Sequence, residues 1–236
     1  MEHWYQLSGV DVGAASDAAS VAILGDSITD GHGATTNGND RWPDVLARRL
    51  QANPGLRNIG VLNEGIGGNH LLTDGLGPNA LARFDRDILA QTAVKFVLVL
   101  EGVNDLGGLA RTAEASAAEH AALVQRIIAV DEQLIARAHA HAIRIVGCTI
   151  LPYVGSGYYH PGPASEADRQ AVNAWIRGPG HFDAVVDFDQ VTRDPDHAER
   201  LRAAFDSGDH LHPSPAGYAA MGNAVPLSLL APQQAR

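Results

Sequence analysis

One cysteine, few basic residues and no apolar run of membrane-spanning length set the first limits on this 236-residue chain. A lone Cys148 forms no internal disulfide and supplies no thiolate zinc site. It lies in the apolar run at 143–150, which reads as the setting of a buried structural thiol rather than a nucleophile. The redox compartment stays open on that count. The apolar stretch at 94–100 is far shorter than the roughly 20 residues of a membrane helix. Lys and Arg number 17 against 27 Asp and Glu, a formal net charge of −10. That balance argues against nucleic acid or an anionic membrane surface as partner, and it identifies no substrate. The chain begins without the charged-then-apolar pattern of a leader. It reads as a cytoplasmic protein, or as the mature or shortened form of an exported one.

No internal repeat, low-complexity tract or linker divides the chain, and its length suits one domain with a core large enough to fold alone. Residues 19–236 are expected to form that domain. Residues 1–18, with Trp4, Tyr5 and Leu7, read as an extension ahead of it. The eleven histidines are scattered and point to no metal site.

Apolar runs at Val21–Leu24, 57–63, Val94–Leu100, 143–150 and 184–188 read as five strands. Segments with helical spacing fall between and after them: 41–50, 78–91, 113–140, 165–177 and roughly 215–230. Pro43 suits a helix first turn, and Ser165 with Asp168 has the spacing of a helix start. His120, His139 and His141 are expected to be solvated. Alternation of this kind predicts an α/β domain with a mostly parallel sheet covered on both faces.

Three of the strands run into polar, glycine-containing turns: Gly25-Asp26-Ser27, Gly65-Ile66-Gly67-Gly68-Asn69 and Gly102-Val103-Asn104-Asp105. In a parallel sheet such ends share one edge, where open α/β folds place their chemistry. Taken alone, Asp26, Ser27 and Thr29 read equally as a polar turn that caps a helix. Together the three turns offer a hydroxyl, permissive backbone N–H groups and a carboxamide, which acyl transfer requires. The base it also needs is available in Asp209-His210-Leu211-His212. A serine hydroxyl is barely ionised at neutral pH, so a histidine must take its proton while an acid fixes the imidazole tautomer. The Asp-x-x-His spacing and Pro213 favour His212 over His210.

The blocks G-D-S-I-T (25–29), N-E-G-I-G-G-N (63–69), G-V-N-D (102–105) and D-H-L-H-P (209–213) resemble those of the GDSL, or SGNH, hydrolases, and occur in that family's order. The resemblance implies a flavodoxin-like three-layer α/β/α sandwich, with the five strands read above in its sheet. It implies a serine esterase that uses neither metal nor organic cofactor. Ser27 would be the nucleophile and His212 the base, oriented by Asp209. The backbone N–H groups of Ser27 and Gly68 and the side chain of Asn104 would form the oxyanion hole. Asp26, Asn69 and Tyr153 are candidates for substrate binding, although Asp26 and Asp105 also read as residues that hold turn geometry.

The runs at 101–105, 173–177 and 186–189 are similar to a bacterial branch associated with acetylated plant polysaccharides. Members of that branch often carry a β-rich segment ahead of the catalytic domain, of which Trp4–Val12 would be a remnant. A short acyl group, acetyl above all, on an aryl or carbohydrate alcohol is then the expected substrate. A thioesterase or acyltransferase built from the same residues, and a carbohydrate-binding domain with a vestigial site, are the alternatives. Glu64 stands where the family commonly has a basic residue, which removes one expected contact for a substrate anion. There is no G-x-S-x-G, so the α/β-hydrolase nucleophile elbow does not apply.

Overall fold

Strand β1, Ala19–Gly25, runs between two parallel neighbours that end beside it. The computed structural model describes residues 9–109, 111 and 113–231. Within them, β1 pairs with β2 (Ile59–Gly65) on one side and β3 (Val94–Leu100) on the other. Beyond β3 follow β4 (Arg144–Cys148) and β5 (Ala184–Val186), all parallel, in the order β2-β1-β3-β4-β5. In such an order the chain leaves β1 toward β2 and then returns past it to β3. The crevice at their carboxyl ends is the topological switch point where α/β sheets bind ligands. Gly25 pairs with Gly65 on one side and Leu100 on the other, so three strands end level with one another.

Val21, Ala22, Ile23 and Leu24 have no exposed surface, as strands covered on both faces require. Helices α2 (Trp42–Gln51), α7 (Phe188–Thr192) and α8 (Pro215–Ala224) pack together as one layer. The other layer holds α3 (Ala80–Phe84), α4 (Val103–Leu109), α5 (Ala117–Ala140) and α6 (Pro163–Arg177). The short α1 (Ser27–Asp30) caps the end of β1. Trp42 is fully buried, with its ring edge-on to Phe188 at 5.1 Å. Cys148 is buried in β4, and burial pushes its thiol well up. No helix among the described residues is long and apolar enough to cross a membrane.

Several element boundaries differ from the sequence expectation, each for a local reason. The helix expected over 78–91 begins at Ala80, where Asn79 caps it through the Ala82 N–H, and widens into a π-helical turn over Asp85–Leu89. The long helix expected from 113 begins at Ala117, because Ser116 and Glu119 form a capping box. The last helix stops at Ala224, since Pro226 lacks an N–H and holds Val225 extended; a 3₁₀ turn, Leu227–Leu230, follows. Strand β5 ends at Val186, and Phe188 opens α7 instead, with Asp187 capping it through the Gln190 N–H.

Three further expectations are corrected. Helix α6 starts at Pro163 from a Gly162 cap, so Ser165 is a buried first-turn residue and no cap. Asp168 instead hydrogen-bonds Nδ1 of His120, and that histidine is buried between α5 and α6 rather than solvated. The G-V-N-D turn opens helix α4, which the two glycines of V-N-D-L-G-G-L hid from a propensity reading. Burial of Val103 and Leu106 and tertiary hydrogen bonds to Asp105 hold it.

Candidate active site

Ser27 is the first residue of α1, immediately past the end of β1. Asp26 caps that helix by accepting the Ile28 N–H at 2.8 Å, and Gly31 closes it in the left-handed conformation, φ +105°. This single turn leaves Ser27 almost buried, yet on the wall of a cavity of about 980 Å³ at the carboxyl edge of the sheet. Gly65 packs against the backbone of α1. A Cβ there would lie 2.3 Å from the Asp30 nitrogen, so only glycine lets β2 pass so close.

His212 reaches the serine from the far end of the chain. Its Nε2 lies 2.8 Å from Ser27 Oγ, and its Nδ1 lies 2.6 Å from Asp209 Oδ2. Asp209 Oδ1 also accepts the backbone N–H groups of His212 (2.8 Å) and Leu211 (3.0 Å) and the Ser207 hydroxyl (3.0 Å). Partial burial alone would raise this carboxyl, but these donors outweigh it and hold it down to about 2. An ionised Asp209 places the imidazole proton on Nδ1, so the Nε2 lone pair faces the Ser27 hydroxyl. Burial lowers His212 below the ordinary histidine value; Asp209 opposes that shift and nearby His32 adds to it. The imidazole is thereby kept neutral, the form that can take a proton.

Asn104 and Gly68 line the same cavity as Ser27. Asn104 Nδ2 donates to the Asn69 carbonyl at 2.6 Å, and its Oδ1 accepts the Tyr159 hydroxyl at 2.6 Å. One proton of the amide nitrogen is used in this way, and the other has no partner among the described residues. Gly68 has φ +71°, a left-handed conformation that glycine adopts without strain. Among the described residues, neither the Ser27 nor the Gly68 N–H has a hydrogen-bond partner. Donors without partners at a cavity wall next to a serine are the equipment for binding an oxyanion.

The three strand-end turns are tied together by Arg83 of α3, which sequence patterning did not single out. Its buried guanidinium donates to the carbonyls of Gly25 (3.0 Å) and Glu64 (2.7 Å), to Asn69 Oδ1 (2.9 Å), to Asp87 (3.0 Å) and to Glu101 (3.4 Å). Asp105 adds a second tie by accepting the Leu71 and Leu72 N–H groups at 2.8 and 3.0 Å. Helix spacing gave no sign of Arg83's role, because a lone arginine among Leu81, Phe84 and Ile88 reads as a side chain at the edge of an apolar face.

The three substrate-binding candidates are placed differently from Ser27, Gly68, Asn104, Asp209 and His212. Asp26, Asn69 and Tyr153 are each about 1% exposed and none of them lines the cavity. Asp26 caps α1, and Asn69 is held between Arg83 and the Pro78 carbonyl. Tyr159 and Tyr158, from the same loop as Tyr153, do line it, with Gly155, Gly157, Arg111 and Leu76. His210 stands on the rim with Nδ1 2.5 Å from Asp206, turned away from Ser27's partner by a left-handed backbone, φ +60°. His32, Asp209 and His212 bring possible metal-ligating atoms within 4.8 Å of one another. Two of these three side chains are already joined to each other, and His212 is joined to Ser27.

The model of the GDSL-like Lipase/Acylhydrolase family matches residues 23–220. Solved structures share the fold. An acetyl xylan esterase from Geobacillus stearothermophilus is 23% identical with a TM-score of 0.62, over 94% of this chain and 99% of that one. A GDSL-like lipase from Bacteroides thetaiotaomicron VPI-5482 is 19% identical with a TM-score of 0.62, over 89% and 87%. The acetyl xylan esterase AlAXEase is 15% identical with a TM-score of 0.62, over 87% and 96%. Among the curated proteins none matches the sequence.

Proposed function

The chain belongs to the GDSL-like lipase/acylhydrolase family, and from that membership we propose that it is a serine esterase acting on short-chain esters, acetyl above all, of carbohydrate or aryl alcohols. The observation that carries this reading is the run of contacts from Ser27 Oγ through His212 to Asp209, set beside donors without partners. Ser27 attacks the ester carbonyl as His212 Nε2 takes its proton. The Ser27 and Gly68 N–H groups and the free proton of the Asn104 amide hold the oxyanion. His212 then protonates the departing alcohol, and water, deprotonated by the same imidazole, releases the acyl group from Ser27.

Short acyl groups fit the cavity's lining. Leu76 and Leu211 are the only large aliphatic side chains among the described residues that line it; glycine, tyrosine and histidine supply most of the rest. Aliphatic side chains of the kind that grip a long fatty chain are therefore few on these walls. The acetyl xylan esterases that share the fold support a carbohydrate alcohol.

The test is hydrolysis of a p-nitrophenyl ester series from acetate to octanoate, followed by acetate release from acetylated xylan. Acetate should be the best ester, and Ser27→Ala should lose activity by about 10³-fold or more. Unchanged turnover in Ser27→Ala would exclude this nucleophile. Preference for octanoate would exclude the short-acyl reading.

A further inference from the structure

Arg111 is the single Lys or Arg among the described residues lining the catalytic cavity, in a chain of net charge −10. Its guanidinium carbon sits 3.9 Å over the ring centroid of Tyr158, and Tyr158 is braced edge-on by Tyr159 at 4.8 Å. No carboxylate among the described residues pairs with Arg111. Arg41, Arg83, Arg86, Arg137, Arg169 and Arg177, by contrast, all do so elsewhere.

A guanidinium held over an aromatic face is fixed in place before a ligand arrives and keeps its N–H donors for that ligand. Planar forks of that kind match carboxylates bidentately. Tyr158 has one face occupied by the arginine, so its contribution is to orient Arg111 rather than to offer that face to a sugar ring. Tyr159 couples the pair to the chemistry, since its hydroxyl holds Asn104. The other charged group of the cavity wall, Asp209, is engaged by His212 and backbone amides. The acidic surface repels anions at long range, so a cation in the cavity would serve a contact made only after entry.

We propose that Arg111, oriented by Tyr158, is a specificity site for the carboxylate of an anionic ester, such as an O-acetylated uronic acid unit. The inference rests on the esterase reading above and narrows its substrate class. The carboxylate belongs either to the alcohol, as in a uronate, or to the acyl group, as in a dicarboxylate half-ester.

Two matched pairs separate these sources: 2-O-acetyl methyl glucuronoside against 2-O-acetyl methyl glucoside, and mono-4-nitrophenyl succinate against 4-nitrophenyl butyrate. In one pair the charged ester should show kcat/KM about tenfold or more above its neutral partner, the value of one charge-assisted contact. That ratio should shrink with added salt, collapse toward one in Arg111→Met and be partly kept in Arg111→Lys. Arg57→Met, at an exposed arginine just ahead of β2, should leave the ratio as it is. The uronate pair responding assigns the carboxylate to the alcohol, and the succinate pair assigns it to the acyl group. Ratios near one for both pairs in the unaltered protein, or a preference that survives Arg111→Met, would overturn the proposal while leaving the esterase intact. Absence of hydrolysis of every ester, neutral members included, would instead overturn the esterase reading on which it stands.

Discussion

The Tyr159 hydroxyl donates a 2.6 Å hydrogen bond to Oδ1 of Asn104, and the Asn69 carbonyl takes one proton of the same amide. The carbonyl partner fixes which end of the amide is nitrogen, so Tyr159 must be the donor. Two buried anchors thus aim the remaining N–H of Asn104 into the cavity. Tyr159→Phe should leave Oδ1 without a donor and let the amide swing. We expect kcat to fall about tenfold with KM little changed, the mark of an interaction strengthened in the transition state. Combined with Asn104→Ala, the loss should be far less than the product of the two single losses. Independent losses would show that the tyrosine acts elsewhere.

Arg83 holds all three strand ends at once, and its side chain has no exposure. Arg83→Met would take this partner from Glu101 and Asp87 and remove one donor each from the Gly25 and Glu64 carbonyls. Breaking a buried ion pair from one side destabilises by about 3–5 kcal/mol, and a drop of that size in urea unfolding is expected here. Arg83→Lys keeps the charge without the planar fork and should recover only part of it. A full recovery by lysine would mean that charge alone, and not the bonded geometry, aligns the turns.

His32 packs against His212 with ring centroids 4.0 Å apart, and its backbone carbonyl is pinned by the Tyr218 hydroxyl at 2.6 Å. With His212 as the proposed base, hydrolysis needs its neutral form, and burial with His32 lowers its pKa. A lowered value keeps the base deprotonated at more acid pH. The acid limb of kcat/KM should therefore lie below about 6.5. His32→Gln removes one of the lowering contributions, so the limb should move to higher pH, toward the ordinary histidine value. A pH–rate profile of the two proteins decides this. A limb that stays in place would remove His32 from the tuning of the base.

Asp131, buried in α5, accepts no hydrogen bond from any described residue, and burial with some help from Asp105 pushes its carboxyl up to about 8. Burial likewise raises Asp26 to about 7 and lifts Glu101 well above its usual range. Between about pH 4 and 8 the folded protein holds protons that the unfolded chain releases, so stability falls as pH rises through that window. Asp131→Asn abolishes one such proton. Its Tm should exceed that of the unaltered protein near pH 8, and the gap should close as the pH falls toward about 4, where the unfolded chain also begins to hold the proton. A gap independent of pH would trace the effect to packing.

The positions of the strands, the glycine turns at their ends and the residue types needed for acyl transfer were legible in the sequence. Each is written locally, as a short apolar run beside a flexible turn or an Asp-x-x-His spacing. Helix boundaries were less legible, because caps such as Asn79 and Ser116, and not apolar spacing, set where a helix begins. His120 read as surface because its partner Asp168 lies 48 residues away. Residue order alone is enough to read an α/β chain with a serine and a carboxamide at strand ends and an Asp–His pair ahead of the last helix. The folded sheet places β1 between β2 and β3, which puts Ser27 beside Gly68 and Asn104. It also brings His212 to Ser27 across 185 residues, lets Arg83 clamp three turns and rests Arg111 on Tyr158 in the cavity that Ser27 lines. The reason is physical: helix and strand periodicity record which face a residue buries, but contacts between distant segments depend on how the sheet is ordered and how its layers close over it.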